Sequence, residues 1–524
     1  MSWHARRLVD LVDSLARRFN KRRYDALARQ LGRWPEPGDK RQRGFVIVQI
    51  DGLAYDYLVE AIARGYAPRL RRLLSWKRYR LGRWRCGLPS TTPAVQAGLM
   101  FGDASDIPGF RWYEKDEGRS VACKLPRAAR ALQTRVAEAR PGILRGGSSY
   151  MSLLDGDARL CLLTLGSLRS GHFLENVKGF GFLLLFLLSP LRLVRTVVLS
   201  VWEYLRDLFK RLVALFVPSD YEPPRFISPF LKVIADVIFR ELQTFAAYLD
   251  IHRGTPAIYT NYYGYDEAAH HFGPDSSESF RCLRGIDREI GRLEAMARRA
   301  GRRRYDFYVM SDHGQTLSIP FRRLYKVSLG QLIAVHIESA SSVDERGTGE
   351  QTSEAQAHIL LEELGEIEAR LRPAGARLLR AARHYLDERA RLYDEADWDM
   401  TRRDDVVVRN SGSLAHVYFN VSPQSLDLSD VALLYPRLLP SLLEHPGIGW
   451  LVGRQGGQVV VMNAGGTLTM GQHEHVEGHH PLLSLPEPDH AARQLQRLAG
   501  YPHSGDIILL GAWRDGQVVT FEDQ

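Results

Sequence analysis

Residues 305–310 form an apolar run, and Ser311-Asp312-His313-Gly314 follows it directly. An apolar run of this length closed by turn-forming residues reads as a buried strand. A strand that delivers a carboxylate and an imidazole at its carboxyl end constrains the fold, because open α/β sheets gather their chemistry in the crevice beyond those ends. One hard oxygen and one borderline nitrogen suit zinc or a similar divalent cation. The same tetrapeptide also makes an ordinary turn, so its meaning depends on what the rest of the chain supplies.

Two further segments repeat the pattern. Residues 45–50 read as a buried strand with Asp51-Gly52 at its end, where the plainer role of Asp51 is a turn residue. Residues 257–262 read as another strand, followed by Asp266 and then His270. Four positions apart, Asp266 and His270 share one face of a helical turn and can grip one ion, although a surface contact on a helix uses the same spacing. Three strand ends carrying Asp or Asp with His favour a metal centre.

A nucleophile lies in segment 88–102. Thr92 is expected to cap a helix that has Pro93 at its first position and Gly102 at its stop. The Thr92 hydroxyl would then stand beside unpaired N–H groups and the positive end of the helix dipole, a natural phosphate site. A threonine oxygen becomes a usable nucleophile at neutral pH when a metal lowers its pKa. Without the other segments the same residues would be a plain cap.

In chain order, Asp51, Thr92, Asp266 with His270, and Asp312 with His313 resemble the motif set of the alkaline phosphatase superfamily, in particular its type I phosphodiesterase/nucleotide pyrophosphatase branch. The stretch Pro89-Ser90-Thr91-Thr92 is similar to that branch's Pro-Ser/Thr-x-Thr segment, running ungapped to Gly102, a register that selects Thr92 over Thr91. Gly109 with Phe110, Trp112 and Tyr113 resembles the glycine-and-aromatic loop after the nucleophile helix. The likeness covers roughly 45–115, 255–320 and 405–522. It implies an α/β three-layer sandwich with a mostly parallel central sheet and helical insertions. It also implies metal-dependent hydrolysis of phosphate esters, diesters foremost, through a phospho-threonine on Thr92. By the same resemblance Asp51, Thr92, Asp312 and His313 hold one divalent ion, and Asp266 with His270 the other. Zinc is the expected metal and manganese the next choice. Phe110, Trp112 and Tyr113 would cover the organic group of the substrate.

One departure from the family stands out. A Gly-x-His-Gly segment that brings a third histidine to the first metal site does not occur. His473, His475, His479 and His480 are substitutes by residue type. The other expectation is a C-terminal truncation, since 504–512 and 518–522 look like the strands before that loop and the sequence given stops at Gln524. The readings beside the diesterase are a phosphomonoesterase, a phosphoryl or headgroup transferase, and a non-catalytic member that binds phosphorylated ligands. Sulfatase chemistry is disfavoured, because Cys86 is not followed by the required Pro and Arg.

The chain has 524 residues, which calls for a core with insertions or for two to three domains. The expected division is a basic amphipathic helix at 1–34, core segments at 35–135, 251–330 and 405–524, a helical cap at 136–250 and a helical insertion at 331–404. Its 45% hydrophobic and 25% charged residues are ordinary for a folded protein. A net charge of +9 favours anionic partners, here a phosphorylated small molecule or lipid, while no compact nucleic-acid motif occurs. Cys86, Cys123, Cys161 and Cys282 are scattered, which fits a reducing compartment. Residues 1–33 lack the apolar stretch of a secretory signal. The basic helix reads first as one packed on the core with a solvated charged face, and the stretch 180–217 as a cap or homodimer surface; the second reading of both is peripheral membrane contact by a cytoplasmic protein.

Overall fold

The computed structural model describes residues 42–167, 196, 198, 200, 201, 234–337, 342–346, 405–472 and 474–522. The basic helix expected at 1–34, the run at 180–188, nearly all of 191–217, most of 331–404 and His473 lie outside the described residues.

The sequence of Arg43–Ile50, rich in Val and Ile, favours a pleated strand buried on both faces. It occupies a five-stranded sheet in the order Leu160–Leu162, Ser148–Tyr150, Ala257–Tyr262, Arg43–Ile50, Arg304–Met310, and every neighbouring pair is parallel. The architecture is therefore α/β with a parallel central sheet, as expected. Register positions the site: Ile50 lies opposite Tyr262, and Gln49 opposite Met310. The three strands end level, so the residues after them emerge along one edge. Arg304–Met310 is the edge strand and is half-buried rather than buried, with Tyr308 55% exposed. Helices Arg240–Arg253 and Ser277–Arg299 pack on the sheet and on each other, burying Phe245, Leu249, Phe280 and Ile290 in one core with Val46 and Val48. Ser276 starts the longer helix by accepting a hydrogen bond from the Ser279 N–H.

Two boundaries differ from the sequence reading. Strands Ser148–Tyr150 and Leu160–Leu162 belong to the central sheet although they fall inside the cap expected at 136–250. Ser148 and Ser149 are buried polar residues, so no apolar run marks the first of these strands. The strands of the core segment expected at 405–524 do not join the central sheet. Leu414–Phe419 pairs antiparallel with Val406–Ser411 across Gly412-Ser413, where Gly412 has a φ of 67°. So short a turn imposes antiparallel pairing.

That hairpin lies in an eight-stranded sheet with the order His475–Gly478, Gly466–Met470, Gln458–Asn463, Ile448–Gln455, Ile507–Gly511, Leu414–Phe419, Val406–Ser411, Val343–Arg346. Its last member comes from the insertion expected to be helical and runs parallel to Val406–Ser411. A small sheet of Trp513–Arg514, Gln517–Thr520 and Ser318–Pro320 ties the C-terminal strands to the segment after His313. Among the described residues no helix is long and apolar enough to cross a membrane, and the four cysteines are free.

Candidate active site

The level ends of three strands bring the first cluster together. The Asp51 N–H donates to the Tyr262 carbonyl at 3.1 Å, which holds the chain as it leaves the sheet. The Gly52 N–H donates to Asp312 Oδ1 at 3.3 Å, and Asn261 Nδ2 donates to Asp51 Oδ2 at 2.7 Å. Thr92 Oγ1 lies 3.3 Å from Asp51 Oδ1 and 3.2 Å from His313 Nε2. His313 Nε2 is 3.4 Å from Asp51 Oδ1 and 3.7 Å from Asp312 Oδ2. Ligand atoms of Asp51, Asp312 and His313 all fall within 4.8 Å of one another.

Thr92 reaches this cluster from the first turn of helix Thr92–Phe101, not from its cap. Thr91 is the N-cap: its backbone is extended and its carbonyl already accepts the Val95 N–H at 3.0 Å. Thr92 and Pro93 are thus the first two helical residues, and Gly102 ends the helix in the left-handed region as expected.

Asp266 and His270 sit on helix Gly264–Phe272, with His270 Nε2 at 3.4 Å from Asp266 Oδ2. Gln315 Nε2 donates to the Asp266 carboxylate and, at 3.2 Å, to its backbone carbonyl. The Asp266 carboxylate packs on Gly52, one residue past Asp51. Asp51, Thr92, Asp266, His270 and His313 line one cavity of about 990 Å³. Asp312 is fully buried against them.

Three carboxylates and two imidazoles so close perturb one another. Burial, with the charge of Asp51, pushes the Asp312 carboxyl up to about 7. Burial alone would lower His313, but Asp312, Asp51 and Asp266 hold it well above the usual imidazole range. Burial would raise Asp266, yet His270, His313 and Gln315 hold it down to about 2. His270 is in turn raised to about 9, its desolvation outweighed by Asp266. Asp312 Oδ2 is buried and accepts no hydrogen bond. A buried acceptor left without a donor, beside further carboxylate oxygens and an imidazole nitrogen, fits a divalent cation.

The remaining wall differs from the sequence reading. Phe110 lines the cavity, but Trp112 and Tyr113 are 0% and 1% exposed and lie in the core. Trp112 Nε1 donates to Glu114 Oε1 at 3.1 Å, and the Tyr113 ring meets Tyr418 edge-on. Both are sealed because their strand, Arg111–Glu114, packs under the Val406–Ser411 strand. Arg111 replaces them at the cavity and pairs with Glu522 Oε1 at 2.6 Å. Lys124, Gln315, Arg322, Arg323 and Thr520 also line it. Of the residues not anticipated, Asn261 alone carries a signal, as a polar side chain inside an apolar strand. His475, His479 and His480 do not line the cavity. His475 Nε2 is 3.4 Å from Glu477, and His480 Nε2 is 3.8 Å from Glu474.

Residues 204–416 match the family model described as type I phosphodiesterase / nucleotide pyrophosphatase. The match includes Asp266, His270, Asp312 and His313. Among solved structures, phosphonoacetate hydrolase from Sinorhizobium meliloti 1021 in complex with phosphonoformate is similar at 14% identity, over 93% of this chain and 83% of that one, with a TM-score of 0.40. Wild-type alkaline phosphatase PafA is similar at 13% identity, over 92% of this chain and 87% of that one, with a TM-score of 0.45. No curated protein matches the chain.

Proposed function

We propose that this chain is a phosphoesterase of the type I phosphodiesterase / nucleotide pyrophosphatase kind and that it hydrolyses phosphate esters through a phospho-threonine on Thr92. The observation that carries this reading is the placement of Thr92 Oγ1 3.3 Å from Asp51 and 3.2 Å from His313, at the first turn of a helix. Asp51, Thr92, Asp312 and His313 would hold one divalent ion and Asp266 with His270 a second, zinc before manganese. Ions held there would act as Lewis acids on the Thr92 hydroxyl and the phosphoryl oxygens.

This chain's residues supply the rest. Asp51 Oδ1 accepts from the Thr92 hydroxyl and aims its oxygen into the cavity. Pro93 has no N–H, so Thr92 and Ala94 supply the N–H groups of the first helical turn, whose positive dipole end favours an anion. Thr92 Oγ1 bonds to phosphorus as the bond to the leaving oxygen breaks, and the alcohol departs with that electron pair and a proton. Water then attacks phosphorus, the bond to Thr92 Oγ1 breaks, and inorganic phosphate or a monoester leaves. Asn261 keeps the Asp51 carboxylate oriented through both steps.

Diester against monoester is a matter of the wall. Phe110 offers an apolar grip suited to a diester, but Lys124, Arg322 and Arg323 line the same cavity. Those cations favour a second reading, in which the phosphoryl group or its organic part carries extra negative charge. The test is turnover of bis-p-nitrophenyl phosphate and p-nitrophenyl phosphate by the zinc-loaded chain and its Thr92→Ala variant. Loss of turnover by a factor of about 10³ or more is expected for Thr92→Ala, with the phosphoryl group trapped on Thr92 of the unmodified chain by acid quench and mass spectrometry. Near-normal turnover by Thr92→Ala would end the nucleophile assignment. A higher kcat/KM for the monoester would move the substrate class.

A further inference from the structure

Residues 69–85 hold eight arginines and lysines and no acidic residue. Helix Pro68–Ser75 points Leu70 and Leu73 into the core, which turns Arg71 and Arg72 outward. Beyond it the chain runs irregularly toward Thr92, with Trp76 46%, Leu81 37% and Trp84 48% exposed among exposed Lys77, Arg78, Arg80 and Arg83. The guanidinium carbons of Arg72 and Arg78 lie 4.3 and 5.1 Å from the Trp76 ring centre. Arg83 pairs with Asp56, and Arg85 with Glu487. Arg71, Arg72, Lys77, Arg78 and Arg80 have no ion-pair partner among the described residues.

This surface offers cations and exposed apolar rings at once, and its partner must match both. A bilayer rich in anionic headgroups does so: tryptophan settles at headgroup depth, and arginine and lysine stems lie along apolar surface with their charges in water. Each cation near such a surface raises binding by about a factor of five. A polyanion without an apolar layer would use the cations and leave Leu81 bare. We propose that the ledge at 71–84 docks the protein on an anionic membrane surface. Its position suits that role, because Trp84 Nε1 donates to the Ser311 carbonyl at 3.0 Å, one residue before Asp312. The ledge thus stands at the same edge of the sheet as the active-site cavity. The docking does not depend on the phosphoester reading, since binding is measured without turnover.

The test sediments the full chain with phosphatidylcholine vesicles made with and without phosphatidylglycerol, at low and high salt. Binding is expected to the anionic vesicles and to weaken with salt. The combined variant Arg71→Gln, Lys77→Gln, Arg78→Gln and Arg80→Gln should lower the partition coefficient by a factor of about 100 or more. The variant Trp76→Ser with Leu81→Ser should lower it by about tenfold or more, and decides the matter alone if the fourfold variant does not fold. No binding by the unmodified chain, or binding by both folded variants as tight as its own, would overturn the proposal. So would equal affinity for a single-stranded oligonucleotide with vesicle binding untouched by the Trp76 and Leu81 changes, which would make the ledge a polyanion site.

Discussion

Asp266 Oδ1 occupies the space that a side chain on Gly52 would need, 2.1 Å from the ideal Cβ position. Gly52 also has a φ of 69°, a backbone conformation that glycine adopts without strain. This contact joins the end of the first strand to the helix that carries Asp266 and His270. It is how the two halves of the candidate site meet. Gly52→Ala should therefore push Asp266 away from Gln315 and His270. We expect kcat/KM on an aryl phosphodiester to fall by about a hundredfold or more, as for a misplacement near 1 Å, and the fold to lose about 1–2 kcal/mol from backbone strain. Steady-state kinetics and urea unfolding measure the two effects, and unchanged kinetics would break the link between Gly52 and Asp266.

Asn261 orients Asp51, to whose Oδ2 it donates at 2.7 Å. Asn261→Leu removes that donor and leaves the carboxylate free to turn. Metal affinity should drop by about 10- to 100-fold, the usual cost of losing a group that orients a ligand. Zinc titration with a competing chelator reads this directly.

The chelated protein should lose stability as pH rises. Asp312, raised to about 7, is protonated in the fold at pH values where the unfolded chain has released the proton. Its contribution therefore falls from about pH 4 through about pH 7. His270, raised to about 9, adds stability that is complete below about pH 6.5 and lost as pH climbs through its folded value. Asp266, held down to about 2, acts in the other direction only below about pH 4. Melting midpoints in EDTA should thus decline between about pH 5 and about pH 9, and zinc should raise them most at the alkaline end. Asp312→Asn should flatten the acidic half of the decline. A midpoint that climbs with pH in EDTA would contradict this account.

Arg111 and Glu522 form a nearly buried pair at 2.6 Å that ties the hairpin after helix Thr92–Phe101 to the last described residue. Glu522→Gln would remove the carboxylate charge beside the guanidinium in the cavity wall. A destabilisation of about 3 kcal/mol is expected, with Arg111→Met in the same chain recovering most of it. Chemical denaturation of the two single variants and the double variant measures the coupling. Additive losses would mean that the pair carries no specific interaction.

Asp51, Asp266, His270, Asp312 and His313 were legible in the sequence because each follows an apolar run, and parallel strands present their carboxyl ends along one edge. Thr92 was legible from the Thr-Pro start and Gly102 stop of its helix. Their meeting was not: the register of Ile50 with Tyr262 and Gln49 with Met310 decides it, and register is a property of pairing between distant segments. Whether Thr92 caps its helix or opens it turned on the backbone of Thr91. Trp112 and Tyr113 have the composition of a substrate wall, and only the strand packed over them makes them core. Leu414–Phe419 has strand character in any sheet, and the Gly412-Ser413 turn sends it into the second one. Local chemistry set which side chains could act, because side-chain identity and spacing are written along the chain. Tertiary structure decided which of them come together, because that depends on burial and on contacts between residues far apart in sequence.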